Sequence, residues 1–114
     1  MITYWHNPRC SKSRAGLAFF EEKGAEIDVR LYQKDGPTRE ELTRVRDMLG
    51  VKAIDMMRNK DALFKELGLS AENSEDVLLQ AMADHPALIE RPIAFTRDKA
   101  SIGRPTEALA ALLD

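Results

Sequence analysis

Cys10 is the single cysteine of the chain, and it stands between an apolar run, Ile2-Thr3-Tyr4-Trp5, and a helix-like pattern that begins at Ser11. A thiol at the first turn of a helix faces backbone N–H groups that lack intrahelical acceptors and the positive end of the helix dipole. Both favour the thiolate, the nucleophilic form. Arg9, Lys12 and Arg14 add positive charge nearby in sequence, so the same pocket suits an anion. Away from such a setting, a lone cysteine is more often a small buried hydrophobe.

Cys10 and Ser13 form a Cys-x-x-Ser spacing. In a Cys-x-x-Cys site the second thiol resolves a mixed disulfide, whereas a hydroxyl at that position can only hydrogen-bond to the thiolate. Any covalent adduct on Cys10 therefore has to be resolved by a thiol from outside the chain. His6, four residues before Cys10, can act on the thiol as an imidazolium or as a neutral proton acceptor, or can serve only to pack the loop. His85 precedes Pro86 and reads as a turn residue. With two histidines, one cysteine and no ligand spacing, no metal site is expected.

Three arginines fall where regular structure starts or stops: Arg58 in Met57-Arg58-Asn59, Arg91 in Glu90-Arg91-Pro92 and Arg104 in Gly103-Arg104-Pro105. Arginine suits bidentate contacts with oxyanions, although any single arginine is ordinarily a surface residue. The Arg91–Pro92 bond is a candidate for the cis isomer.

The elements that must position these residues follow from periodicity. Ile2–Trp5 reads as a buried strand ending at the turn pair Asn7-Pro8, and a helix follows from Ser11 to Lys23 with Ala15, Ala18 and Phe19, and Leu17 and Phe20 beside them, at helical spacing and Gly24 to close it. Ile27, Val29 and Leu31 alternate with Asp28 and Arg30, a strand continuing to Tyr32. So short a strand-helix-strand unit implies parallel pairing. After Gly36-Pro37, Thr38-Arg39-Glu40-Glu41 has the form of a capping box opening a helix to Leu49. Further helical stretches are expected at Ala53–Met57, Lys60–Leu67 and Ser74–Asp84, the last with Val77, Leu78, Ala81 and Met82 inward. Ile93–Phe95 and Ser101-Ile102 read as a hairpin, and Thr106–Leu113 as a final helix opened by Pro105. The fold class is α/β, a four-stranded mixed sheet in a single domain spanning residues 1–114.

Bulk properties exclude several classes. The 114 residues suit one domain with one modest core. A composition 44% hydrophobic and 32% charged is that of a globular protein. The net charge of −2 offers no basic field for nucleic acid, and no apolar run approaches the ~20 residues that cross a bilayer. A single cysteine and no secretory leader pattern make a reducing cytoplasm the expected location.

The segments His6-Asn7-Pro8-Arg9-Cys10-Ser11-Lys12-Ser13-Arg14, Leu31-Tyr32, Met57-Arg58, His85-Pro86, Glu90-Arg91-Pro92-Ile93 and Gly103-Arg104-Pro105 together resemble the glutaredoxin-coupled arsenate reductases and their short relatives, in order and over essentially the whole chain. The resemblance implies a thioredoxin-like fold with a helical insertion, about residues 38–84, between the second and third strands. It implies Cys10 as nucleophile, Ser13 and His6 as supports of the thiolate, and Arg58, Arg91 and Arg104 as oxyanion ligands. Arsenate would be the substrate, glutathione the co-substrate and glutaredoxin the partner, with no bound cofactor and a monomer as the expected state. Two other readings use the same fold: a monothiol disulfide reductase acting on glutathione mixed disulfides, and a non-catalytic regulator that binds a protein.

Overall fold

The structure, a computed structural model, describes residues 1–90 and 92–113. They fall into two compact units: Met1–Asp35 with the segment from Pro92 onward, and Gly36–Glu90.

The first unit carries the sheet. Strands β1 (Ile2–Trp5), β2 (Ile27–Arg30), β3 (Ile93–Phe95) and β4 (Ala100–Ile102) lie in the order β2-β1-β3-β4. β1 and β2 are parallel, with Ile2 opposite Ile27 and Trp5 opposite Arg30, whereas β3 is antiparallel to both β1 and β4. The four-stranded mixed sheet is thus as expected. β2 ends two residues early, however, because the Leu31 carbonyl accepts from the Lys34 and Asp35 N–H groups at 3.0 and 2.9 Å. That turn removes Leu31 and Tyr32 from the ladder; Leu31, like Val29 within the strand, is exposed, whereas Tyr32 is buried.

Helix α1 (Ser11–Glu22) joins β1 to β2, with Cys10 at its N-cap. Its buried face is Ser13, Gly16 and Phe20, while Ala15 and Ala18 point to solvent. The apolar spacing picked out Ala15, Ala18 and Phe19, with Leu17 and Phe20 beside them; of these only Phe20 is buried, and the helix is turned so that its smallest residue meets the sheet. A Cβ on Gly16 would collide with the Tyr4 hydroxyl and press on Leu109 Cδ1 at 3.0 Å and Pro92 Cγ at 3.2 Å. Close approach of α1 to β1 therefore requires glycine there. Ile2, Tyr4, Phe20, Ala94, Leu109 and Leu112 form the core on this side. On the opposite face of β1, Trp5 packs edge-on against Phe95, with ring centroids 5.3 Å apart. The terminal helix is a 3₁₀ helix, Thr106–Leu112, whose Leu109 and Leu112 reach the core.

The second unit is helical. In α2 (Arg39–Leu49), Thr38 and Glu41 exchange both hydrogen bonds of the capping box, and Gly50 closes the helix at φ 69°. A 3₁₀ turn at Ala53–Met56, α3 (Ala62–Glu66) and α4 (Glu75–Asp84) follow. Glu75 Oε1 joins three of these pieces, accepting from the Ala53 N–H at 3.0 Å and pairing with Arg46 of α2 at 3.2 Å. The inward face of α4 is Leu78, Leu79 and Met82, whereas Val77, expected inside, is 45% exposed. A 3₁₀ turn at Pro86–Leu88 leads into a single antiparallel bridge between Met57 and Ile89.

Candidate functional site

The loop between β1 and α1 is a turn built by its own residue types. Asn7-Pro8-Arg9-Cys10 closes with the Cys10 N–H donating to the Asn7 carbonyl at 3.0 Å, and proline sits at the second turn position, where its fixed φ fits. The Asn7 side-chain oxygen accepts from the Arg9 N–H at 3.1 Å, and the Arg14 guanidinium donates to the Pro8 carbonyl at 2.8 Å. The Arg14 N–H donates to the Cys10 carbonyl, the first hydrogen bond of α1. The N–H groups of Ser11, Lys12 and Ser13 thus have no acceptor within the helix, and Cys10 stands at that end, partly exposed.

Ser13 is fully buried one turn into the helix. Its Oγ accepts from the Asn7 N–H at 2.9 Å and lies 2.8 Å from His6 Nδ1. Its carbonyl accepts from the Tyr4 hydroxyl at 2.6 Å. A serine hydroxyl offers two acceptor sites and one proton. When His6 Nδ1 carries its hydrogen, both acceptor sites are filled and the Ser13 proton is left free for another acceptor. When Nδ1 is bare, that proton is spent on the imidazole. The tautomer of His6 thus sets whether the Ser13 proton is free.

Burial, and secondarily the positive charge of Arg14, hold the His6 pKa below its ordinary value near 6.5. At neutral pH it is an imidazole, not an imidazolium. Burial likewise raises the Tyr4 pKa, its bond to Ser13 lowers it less, and the charge of Cys10 raises it, so the phenol keeps its proton and remains a donor. Tyr4 and His6 are also ring neighbours, with centroids 5.7 Å apart.

Arg104 lies in the same unit, exposed, on the loop after β4. Its N–H donates to the Ile102 carbonyl at 2.9 Å, and the Arg104–Pro105 peptide bond is cis. Gly103 beside it has the same close neighbours as Gly16 of α1, Pro92 and Leu109. The Arg104 loop and the helix opened by Cys10 therefore pack against the same two side chains. Arg91, and with it the geometry of the Arg91–Pro92 bond, lies outside the described residues.

Arg58 belongs to the second unit. Its guanidinium makes a forked pair with Asp61, 2.6 Å from Nε to Oδ2 and 3.3 Å from Nη2 to Oδ1, and Glu90 Oε1 lies 3.8 Å from Nη1. The Met57–Ile89 bridge places Arg58 and Glu90 side by side, with their N–H groups donating to the Leu88 and Met56 carbonyls at 2.7 Å. Among the described residues, no three His, Cys, Asp or Glu side chains cluster as metal ligands, and no helix is long and apolar enough to cross a membrane.

Sequence reasoning passed over Tyr4 and Gly16, the two residues that hold α1 against β1. Gly16 did leave a signal, since an isolated glycine within a helical pattern marks close packing. Tyr4 left none, because an apolar strand accommodates tyrosine without reference to its hydroxyl.

Comparison with known proteins places the arrangement. Residues 5–112 match the model of the ArsC family. An arsenate reductase of Neisseria meningitidis serogroup A is 50% identical over 114 residues, covering 98% of this chain and 97% of that protein. One from Haemophilus influenzae is 42% identical, covering 98% of each. The solved structure of an arsenate reductase from Vibrio cholerae superposes with a TM-score of 0.93 at 43% identity, covering 97% of this chain and 96% of that one. The α/β fold is thus thioredoxin-like, with its helical segment inserted between β2 and β3, and the chain belongs to the ArsC family.

Proposed function

We propose that this protein is an arsenate reductase that uses Cys10 as nucleophile and an outside thiol as reductant. The observation that carries the reading is Cys10 at the N-cap of α1, with a buried hydroxyl at position 13 in place of a second thiol. Membership of a family whose relatives bear the arsenate reductase name supplies the substrate.

Dihydrogen arsenate binds with Arg58, Arg91 and Arg104 as its cationic ligands, and each such charge-assisted contact is worth on the order of 1.5–3 kcal/mol. The Cys10 thiol attacks arsenic, forming a sulfur–arsenic bond and releasing water. Glutathione then attacks the Cys10 sulfur. The new sulfur–sulfur bond forms as the sulfur–arsenic bond breaks, and its electron pair leaves with arsenic, which falls from As(V) to As(III) and departs as arsenite. Both sulfurs end in the mixed disulfide, so two electrons are lost by thiols and two gained by arsenic. A glutaredoxin thiol takes the glutathionyl group and restores Cys10.

No metal or bound cofactor enters these steps. The protein acts in the cytoplasm, as a monomer. His6 in its neutral form keeps Ser13 oriented beside the nucleophile and adds no competing positive charge.

The experiment is arsenate-dependent NADPH oxidation coupled through glutathione, glutaredoxin and glutathione reductase. Wild type turns over, and Cys10→Ser loses all activity above background. Turnover with thioredoxin alone would replace the resolving partner but keep the nucleophile. Undiminished turnover in Cys10→Ser would overturn the mechanism, and reaction with disulfides but not arsenate would make the protein a monothiol disulfide reductase.

A further inference from the structure

We infer that the first unit carries a second anion-binding site, distinct from the proposed arsenate ligands, which holds the carboxylates of a small peptide thiol while it exchanges with Cys10. The inference rests on the reading of Cys10 as a nucleophile resolved from outside.

The site is a cavity of about 370 Å³ lined by His6, Asn7, Pro8, Arg9, Leu31, Gln33 and Lys34. Its volume lies in the range of small-molecule pockets, which begins at ~300 Å³. It opens at the carboxyl ends of β1 and β2, the two strands that run parallel, where ligands of α/β proteins characteristically bind. The His6 N–H donates to the Arg30 carbonyl at 2.9 Å, which ties its two walls together.

Cys10 is the residue after Arg9, and its N–H is bonded to the Asn7 carbonyl, so one wall of the cavity is the turn that presents the thiol. The lining holds two cations and no acid. Arg9 and Lys34 have no side-chain partner among the described residues, and the neighbouring Asp35 is occupied by Arg30, whose Nε donates to its carbonyl at 3.0 Å and lies 3.5 Å from Oδ2. Gln33 and Asn7 add amide groups, and Leu31 gives an apolar wall.

A ligand matched to that lining is short, net anionic and carries carboxylates at its ends. A tripeptide thiol with two carboxylates has this chemistry, and a neutral thiol such as 2-mercaptoethanol does not. When the oxidised form of such a thiol reacts, the Cys10 thiolate attacks one of its sulfurs, one sulfur–sulfur bond forms as another breaks, and the displaced thiolate leaves to take a proton from water. No net oxidation occurs.

The test omits arsenate, so its failure is separable from failure of the reductase reading. Thiolation of Cys10 is followed by mass with glutathione disulfide and with 2-hydroxyethyl disulfide, and the ratio of the two rates is taken. Replacing Arg9 and Lys34 with glutamine lowers that ratio about tenfold, the scale of one lost charge-assisted contact. Lys23→Gln, at the far end of α1, leaves it unchanged. An equal ratio in wild type and the Arg9/Lys34 variant overturns the proposal, as does a site serving protein thiols alone, which would not distinguish the small disulfides. As a second readout that needs no reactive sulfur, S-methylglutathione shifts the amide resonances of Arg9, Gln33 and Lys34. Absence of those shifts at millimolar ligand also overturns it.

Discussion

The turn around Cys10 and the corner around Arg58 are held by opposite means. In the turn, neutral groups, most of them buried, are tied by hydrogen bonds that converge on Ser13: Tyr4 to its carbonyl, and the Asn7 N–H and His6 to its Oγ. Around Arg58 one guanidinium is shared by two carboxylates, and the side chains of Arg58, Asp61 and Glu90 are 21%, 43% and 25% exposed. Buried neutral bonds fix atoms because the loss of one partner strands the other. Half-exposed ion pairs hold charge without fixing it, because water and other ions can substitute for either partner. The first arrangement suits the nucleophile proposed at Cys10, and the second the anion ligand proposed at Arg58.

The contrast breaks most visibly at Ser13. Ser13→Ala removes the acceptor of the Asn7 N–H and the partner of His6 Nδ1 together. Unfolding in urea is expected to show a loss of about 1–3 kcal/mol with an unchanged slope. A loss well below ~0.5 kcal/mol would mean that water replaces the hydroxyl, and that the turn is no more tightly held than an exposed one.

At Arg58 the effect is smaller and opposite in sign for the ligand. Asp61→Asn keeps the shape of the side chain but removes the charge that competes for the guanidinium. Stability is expected to fall by no more than ~1 kcal/mol, as for other partly exposed pairs. If Arg58 is an arsenate ligand, the KM for arsenate falls roughly two- to fivefold, the equivalent of about 0.4–1 kcal/mol. A raised KM would show instead that Asp61 is needed to orient Arg58.

The same contrast explains what the sequence could reveal. The capping box at Thr38–Glu41, the Gly50 stop and the strand-helix-strand start were legible because each depends on neighbours within a few residues. Cys10, Ser13 and His6 stood out for the same reason, since one turn and one helical start bring them together. The inward face of α1 was not legible. Apolar spacing pointed to Ala15, Ala18 and Phe19, with Leu17 and Phe20 beside them, and only Phe20 is buried, because the Tyr4 hydroxyl, Pro92 and Leu109 leave room only for a residue without a side chain, and that turns Gly16 inward. The truncated β2 and the exposed Val77 of α4 were similarly decided by tertiary surroundings. Of the partners of Arg58, Glu90 escaped notice because it is 32 positions away, brought near by a bridge of one residue pair, whereas Asp61 lies only three residues on.

The smallest expected effect isolates the neutral character of the Cys10 turn. Because burial depresses the His6 pKa, acidification below about 6.5 protonates this histidine in the unfolded chain before it does so in the folded protein. The unfolded state then binds more protons, so stability falls as pH falls, and the fall stops once pH passes the depressed folded pKa. One proton can contribute at most ~1.4 kcal/mol per pH unit. Melting of wild type and His6→Asn between pH 7.5 and about 5.5, above the usual carboxylate range, should show wild type losing more on acidification. Equal slopes would place the imidazole in solvent contact and remove the argument that Ser13 is held by a neutral partner. A steeper slope in His6→Asn would require the folded protein to prefer an imidazolium, and the aiming of Cys10 would then rest on charge, as the Arg58 corner does.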